Sequence, residues 1–105
     1  MTRAVLAIVG NTLSISGVLD FESVLDLDAQ GMQWVTAAPP VQCELDLAAV
    51  TYSSSVGIAL VLGWMRAAKL AGRTLAIKNI PADMRALARV GGLETLLTGA
   101  ETLSK

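Results

Sequence analysis

The spacing of apolar residues changes several times along this chain, and each change marks a new element. Residues 4–9 form a short apolar run. After Gly10-Asn11, Leu13 and Ile15 alternate with Thr12, Ser14 and Ser16. Two turn-forming residues between strand-like runs predict a β-hairpin. Residues 17–20 close the second strand, and Asp20 is placed to cap a helix starting at Phe21. Phe21, Val24, Leu25, Met32 and Val35 then recur at helical spacing. Gly31 weakens that helix, and Pro39-Pro40 ends it.

Val41, Cys43, Leu45 and Leu47 alternate with Gln42, Glu44 and Asp46, which predicts a strand in the middle of the sheet. Residues 51–54 read as a loop. Residues 55–71 read as a long helix closed by Gly72. Residues 74–78 make a fourth strand, and Pro81 opens a third helix that reaches about Val90. Gly91-Gly92 stops it, residues 93–97 form a last short helix, and residues 98–105 carry little signal. The order β-β-α-β-α-β-α implies an α/β sheet with crossover connections. With 105 residues, the whole chain, 1–105, suits one domain.

Composition narrows the function more than the fold. A hydrophobic fraction of 53% is enough to build a core and argues against disorder. A formal net charge of −1 leaves no basic excess for phosphates, so nucleic acid is not an expected partner. The chain contains no His, which excludes a Ser-His or Cys-His triad and any His metal site within it. The single Cys43 has no internal disulfide partner and follows its strand's apolar alternation, so it reads as a buried structural thiol. The first apolar run breaks at Gly10-Asn11, which does not suit a secretory leader. The longest strongly apolar segment, residues 56–65, is too short to span a bilayer. These features predict a cytoplasmic protein that does not insert directly into a membrane.

The candidate chemistry gathers where the third strand meets the long helix, in Asp46-Leu47-Ala48-Ala49-Val50-Thr51-Tyr52-Ser53-Ser54-Ser55-Val56-Gly57. Ser55 reads as the hydroxyl at the helix N-terminus, where it serves as an N-cap and where spare N–H groups favour an anion. Asp46 reads as a strand-end carboxylate accepting loop N–H bonds. Glu44 should share its face of the sheet. The pair would do acid–base work only inside a cleft, which nothing else in the sequence builds. No Gly-rich phosphate loop is present. An enzyme using Ser55 as nucleophile lacks a base, since no spacing brings Lys69 or Lys78 beside it.

On a helical wheel, Ile58, Val61, Leu62, Met65 and Ala68 face the sheet. The opposite side carries Leu60, Gly63, Trp64, Ala67, Leu70 and Ala71, with only Arg66 and Lys69 charged. A helix apolar all round is either buried or docked on a partner. Cover by the C-terminal segment is one explanation. A protein interface is the other, with Trp64 as its anchor and Gly63 and Ala67 allowing close approach. Arg85 and Arg89, four apart on the third helix, would be its polar rim. The same surface leaves open a homodimer when a partner is absent.

The stretch ending in Ser55-Val56-Gly57 resembles the signature of the STAS domain family, in which a central strand enters an Asp-Ser-x-Gly or Asp-Thr-x-Gly turn. Ser54 stands where the family usually has Asp. Gly17-Val18-Leu19-Asp20-Phe21 and Lys78-Asn79-Ile80-Pro81 extend the resemblance over nearly the whole chain. It implies one STAS-like domain: a mixed four- to five-stranded sheet with helices packed on one side. Whether a last strand completes the sheet stays open.

Leu60-x-Leu-x-Trp-Met-Arg-Ala and Ala71-Gly72-Arg73 are most similar to the small cytoplasmic STAS subunit of Mla-type phospholipid-transport ABC systems. That resemblance implies a bacterial, non-enzymatic assembly or regulatory subunit without a cofactor, involved in maintaining lipid asymmetry. It would bind an ABC-type ATPase and lie peripheral to the inner membrane through that partner. The implied partner-binding residues are Ser54, Ser55, Leu60, Gly63, Trp64, Ala67, Arg85 and Arg89. The alternative is an anti-sigma-factor antagonist that binds an anti-sigma serine kinase, with Ser55 as the phosphoacceptor. The absence of Asp at Ser54 weighs against it.

Overall fold

The computed structural model describes residues 4–37 and 42–99. Among these residues four strands, β1 (Val5–Val9), β2 (Thr12–Leu19), β3 (Gln42–Ser53) and β4 (Thr74–Lys78), line up in chain order in one mixed sheet. The β1–β2 hairpin is antiparallel, whereas β2–β3 and β3–β4 are parallel. The intervening helices are α1 (Phe21–Ala37), α2 (Ser55–Leu70), α3 (Ala82–Val90) and the short α4 (Glu94–Gly99). The expected start of the third strand at Val41, the Pro39-Pro40 break and residues 100–105 lie outside the described residues.

One face of the sheet is dry. Leu13, Ile15 and Leu19 of β2, Cys43, Leu45 and Leu47 of β3, and Leu75 and Ile77 of β4 are buried with the inner sides of the helices. The other face carries Thr12, Glu44, Asp46 and Lys78, none of them buried. There Thr12 Oγ1 donates to Glu44 Oε1 at 3.2 Å, and Lys78 Nζ pairs with the same oxygen at 3.6 Å. The expected carboxylate pair therefore lies on an open polar surface, engaged in side-chain bonds. Cys43 is buried as expected, and burial pushes its thiol up.

β3 is longer than its alternation suggests, and residues 51–53 belong to the strand rather than to a loop. Two register shifts against β2, between Ser14/Ser16 and Gly17/Val18, each let β3 gain one residue. Such bulges break the period-2 pattern without ending the pairing. Asp46 therefore lies within the strand rather than at its end. Its Oδ1 accepts from Ala48 N at 2.9 Å and from Asn79 Nδ2 at 3.0 Å.

The Asn79 bond holds the Asp46 carboxyl below its ordinary value of 3.8. A depressed carboxyl stabilises the fold above its unfolded pKa, and that contribution is lost as pH falls through the folded value. Asn79 also has φ 59, so glycine is the substitution that removes the bond without backbone strain. Asn79→Gly is expected to cost at most about 1 kcal/mol near neutrality. In urea melts, the gap from wild type should close below pH 3.8. A gap independent of pH would mean that the bond to the ionised carboxylate contributes nothing.

α1 follows the stripe its apolar spacing suggests only in part: Val35 is buried and Val24 and Met32 pack half-buried against the core. Ser23, Leu27, Gly31 and Val35 face inward, whereas Phe21 and Leu25 are exposed. Asp20 caps the helix as expected, its Oδ1 accepting from Ser23 N at 3.0 Å. This bond holds the Asp20 carboxyl below its usual value.

α2 packs against both α1 and α3 as well as the sheet. Neighbouring helices thus cover part of its apolar circumference, including Leu60 and Trp64, while Ala59 and Leu70 stay exposed. The expectation that Trp64 anchors a partner is corrected: its side chain is 0% exposed. A β-carbon at Gly31 would overlap the indole, so α1 approaches α2 with Gly31 against the ring. Trp64 Nε1 donates to Asp28 O at 3.3 Å and to Asp28 Oδ1 at 3.2 Å. Leu60 is likewise buried, at 4% exposure.

Candidate functional site at the start of α2

The β3–α2 junction sets three serines in three environments. Ser53 is fully buried: its Oγ donates to Ser54 O at 2.9 Å, and its N–H donates to Asp83 Oδ2 at 3.0 Å. Asp83 lies in the first turn of α3, so it ties that helix to the junction. Ser54, rather than Ser55, occupies the N-cap position, with φ −84 and ψ −179. It does not cap with its side chain. Its N–H and its hydroxyl both donate to Leu19 O, at 3.0 Å and 3.4 Å, fastening the junction to the end of β2.

Ser55 is the first helical residue and is exposed. Its hydroxyl has no hydrogen-bond partner among the described residues. Because no side chain caps α2, the N–H groups of Ser55 and Val56 face outward at the positive end of the helix dipole. Gly57 explains how the turn fits. A β-carbon there would collide with Ser53 Oγ and lie 3.2 Å from Leu19 Cβ. The glycine of Ser-x-Gly lets the first turn of α2 sit directly on the ends of β2 and β3.

Beside this turn runs an open apolar groove of about 280 Å³ between α1 and α2. Phe21, Val24, Met32 and the single charged residue Asp28 line it from α1; Val56, Ala59 and Gly63 line it from α2, with buried Leu60 also contributing to the lining. Gly63 has open space where a β-carbon would go. The structure therefore places Gly63 and Leu60 along one groove whose α2 side begins at Val56, next to Ser55. Trp64 lies beneath in the core, and Ala67 does not line the groove.

Arg85 and Arg89 belong to α3 and do not line the groove either. Arg89 is held by Glu94, through Nε at 3.3 Å and Nη2 at 3.1 Å. Sequence reasoning missed Phe21 as a groove wall, Asp83 as the loop's carboxylate and Gly31 as the seat of Trp64. Of these, only Gly31 left a local signal, as a lone glycine inside a helical pattern. Among the described residues no cluster of three or more His, Cys, Asp or Glu side chains could hold a metal ion. Nor is any described helix long and apolar enough to cross a membrane.

No curated protein matches this chain. Solved structures with the same fold include the anti-sigma factor antagonist SpoIIAA in its unphosphorylated form, at 20% identity and TM-score 0.72, covering 98% of this chain and 89% of that one. The phosphorylated form of the Bacillus cell fate determinant SpoIIAA gives 21% identity and TM-score 0.69, with coverage of 98% and 92%. An anti-sigma factor antagonist from Mycobacterium paratuberculosis gives 20% identity and TM-score 0.68, with coverage of 90% and 80%. At such identities the likeness concerns the fold. The family model described as "Mlab, STAS domain" matches residues 5–98, nearly all of the sheet and helices described above, and the chain belongs to that STAS domain family.

Proposed function

We propose that this protein is a non-enzymatic docking subunit that binds the ATPase of a phospholipid-transport ABC system. Binding would take place in the cytoplasm and hold the subunit at the inner membrane through its partner. The observation that carries this reading is the exposed Ser55 turn beside an apolar groove, in a chain whose family model bears the Mlab name. Ser55, Val56, Ala59 and Gly63 would contact the partner from α2, and Phe21, Val24 and Met32 from α1. Leu60 would serve as buried support for that surface. Ser54 would hold the turn through Leu19. Arg85 and Arg89 would act only outside the groove, at the edge of a larger footprint, and Ala67 beyond its end. ATP and lipid would be handled by the partner subunits.

A second reading is supported by the state of Ser55. Its free hydroxyl beside uncapped N–H groups suits a phosphoacceptor, and the resulting dianion would be favoured by the helix dipole. In that case the partner would be an anti-sigma serine kinase and the protein an anti-sigma-factor antagonist.

Affinity purification from native cells separates the two, since one predicts an ABC-type ATPase and the other a serine kinase. Gly63→Leu should project into the groove, since a β-carbon at Gly63 meets nothing within 4 Å, and is expected to reduce partner recovery at least about tenfold, a loss of about 1.4 kcal/mol. Its melting temperature should hold or rise, because glycine is a poor residue inside a helix. Ser55→Glu should weaken the ATPase complex in the same assay. Undiminished recovery with both variants would rule out this surface.

A further inference from the structure

The two edges of the sheet are built differently. β4, at one edge, contains Lys78 and follows Arg73, which suits an edge that must stay unpaired. β1, at the other edge, reads Val5-Leu6-Ala7-Ile8-Val9, with no charge and no proline. Val5 and Ile8 are each 56% exposed, and Val9 is 75% exposed. An apolar, uninterrupted edge strand is a template for pairing with another strand. None of its residues belongs to the α1–α2 groove.

The hairpin geometry says which backbone groups are available. Gly10, with φ 60, leads a two-residue turn whose flanking residues, Val9 and Thr12, are opposite one another. In a two-residue hairpin the flanking pair exchanges hydrogen bonds, and bonded pairs alternate from there. Val9, Ala7 and Val5 therefore bond to β2, whereas Leu6 and Ile8 direct their N–H and C=O groups away from the sheet. These two residues flank Ala7 symmetrically.

The side chains have the same symmetry. About Ala7 the strand is a chemical palindrome: valine at both ends, then leucine matched by isoleucine. An antiparallel copy related by a two-fold axis at Ala7 would pair Leu6 with Ile8 of its mate, each exchanging both bonds. Val5 would face Val9 of the mate on the open side of the sheet, and Ala7 would face its own counterpart. Aliphatic and β-branched residues would meet their like, and the strand itself brings no charge into the contact. A two-fold interface requires this self-complementarity; an unrelated peptide strand does not.

We propose that β1 is a homodimerisation edge, through which two copies of this chain join their sheets into one continuous sheet across a two-fold axis at Ala7. The surface is separate from the partner-binding groove, so it stands or falls independently of the proposed function.

Cysteine cross-linking of the full chain tests both the contact and its register. Ala7 and its counterpart would form a pair without mutual hydrogen bonds, with Cα atoms about 4.5 Å apart. That separation lies within disulfide range. Under oxidised glutathione, Ala7→Cys should form a covalent dimer as the main product. Val5→Cys and Val9→Cys should each stay uncross-linked alone but form a mixed dimer when combined. Sedimentation should show wild type becoming dimeric as concentration rises. Ala7→Lys, which sets two like charges opposite each other, should remain monomeric with an unchanged circular dichroism spectrum. A wild-type monomer at millimolar concentration would overturn the proposal. So would cross-linking of Ala7→Cys no greater than that of Val9→Cys alone, or a dimer that survives Ala7→Lys.

Discussion

Trp64→Ala is expected to cost about 3–5 kcal/mol of folding stability, the range for removing a buried large aromatic side chain. A domain of this size has about 5–15 kcal/mol in total, so the variant should be close to unfolding at moderate temperature. The indole is fully buried between α1 and α2, and its N–H is bonded to Asp28. Truncation would therefore leave a cavity and remove the indole's bond to Asp28, a residue that is itself exposed to water. A surface anchor would behave differently: its loss would change stability by only about 0.5 kcal/mol and would appear in binding instead.

Gly31 sharpens the test. Gly31→Ala in the wild type forces a methyl into the indole and should destabilise by about 1–3 kcal/mol or more. In the Trp64→Ala background the obstruction is gone, and alanine should stabilise the helix by up to about 1 kcal/mol over glycine. The reversal of sign in a double-mutant cycle, measured by urea denaturation, would demonstrate the contact. Additive effects would show that the two residues do not meet.

The same pair shows where the sequence is legible and where it is not. Element order and most boundaries follow from local pattern: β4 and the start of α2 fall where alternation, turn residues and serines place them. Packing between elements is not local. An apolar face on α2 is equally consistent with a partner or with neighbouring helices. What decides between them is the approach of α1, through a glycine far away in sequence. Phe21, Leu25 and Val35 fit one helical apolar stripe, yet of these three only Val35 turns inward, beside Ser23, Leu27 and Gly31.

β3 is a second case. Its two bulges against β2 interrupt the period-2 pattern after Leu47, so its last residues look like a loop. The candidate turn, Ser54-Ser55-Val56-Gly57, is accordingly legible as a strand-to-helix junction in local sequence, and its surroundings are not. Asp83 and Phe21 reach it from other helices, and their roles follow only from how those helices pack.

Gly57→Ala is expected to destabilise the domain by about 1–3 kcal/mol, the usual cost of overpacking. It should also disturb the Ser55 turn more than any other part of the fold. The new methyl would meet Ser53 Oγ, which is buried and bonded to Ser54 O, and would lie 3.2 Å and 3.3 Å from Leu19 Cβ and Cδ1. Ser53 can yield by losing its hydroxyl, so Ser53→Ala combined with Gly57→Ala should recover part of the loss. Leu19 cannot yield as readily: it is fully buried, and its carbonyl holds both the N–H and the hydroxyl of Ser54. The first turn of α2 must therefore lift, carrying Ser54 and Ser55 with it. Backbone amide shifts should change most over residues 53–58, and partner recovery should fall further than in a variant of equal stability altered elsewhere in the core. If Gly57→Ala matched wild type in stability and left those shifts in place, the close seating of α2 would not be the reason for glycine here. The Ser-x-Gly turn would then need another physical explanation.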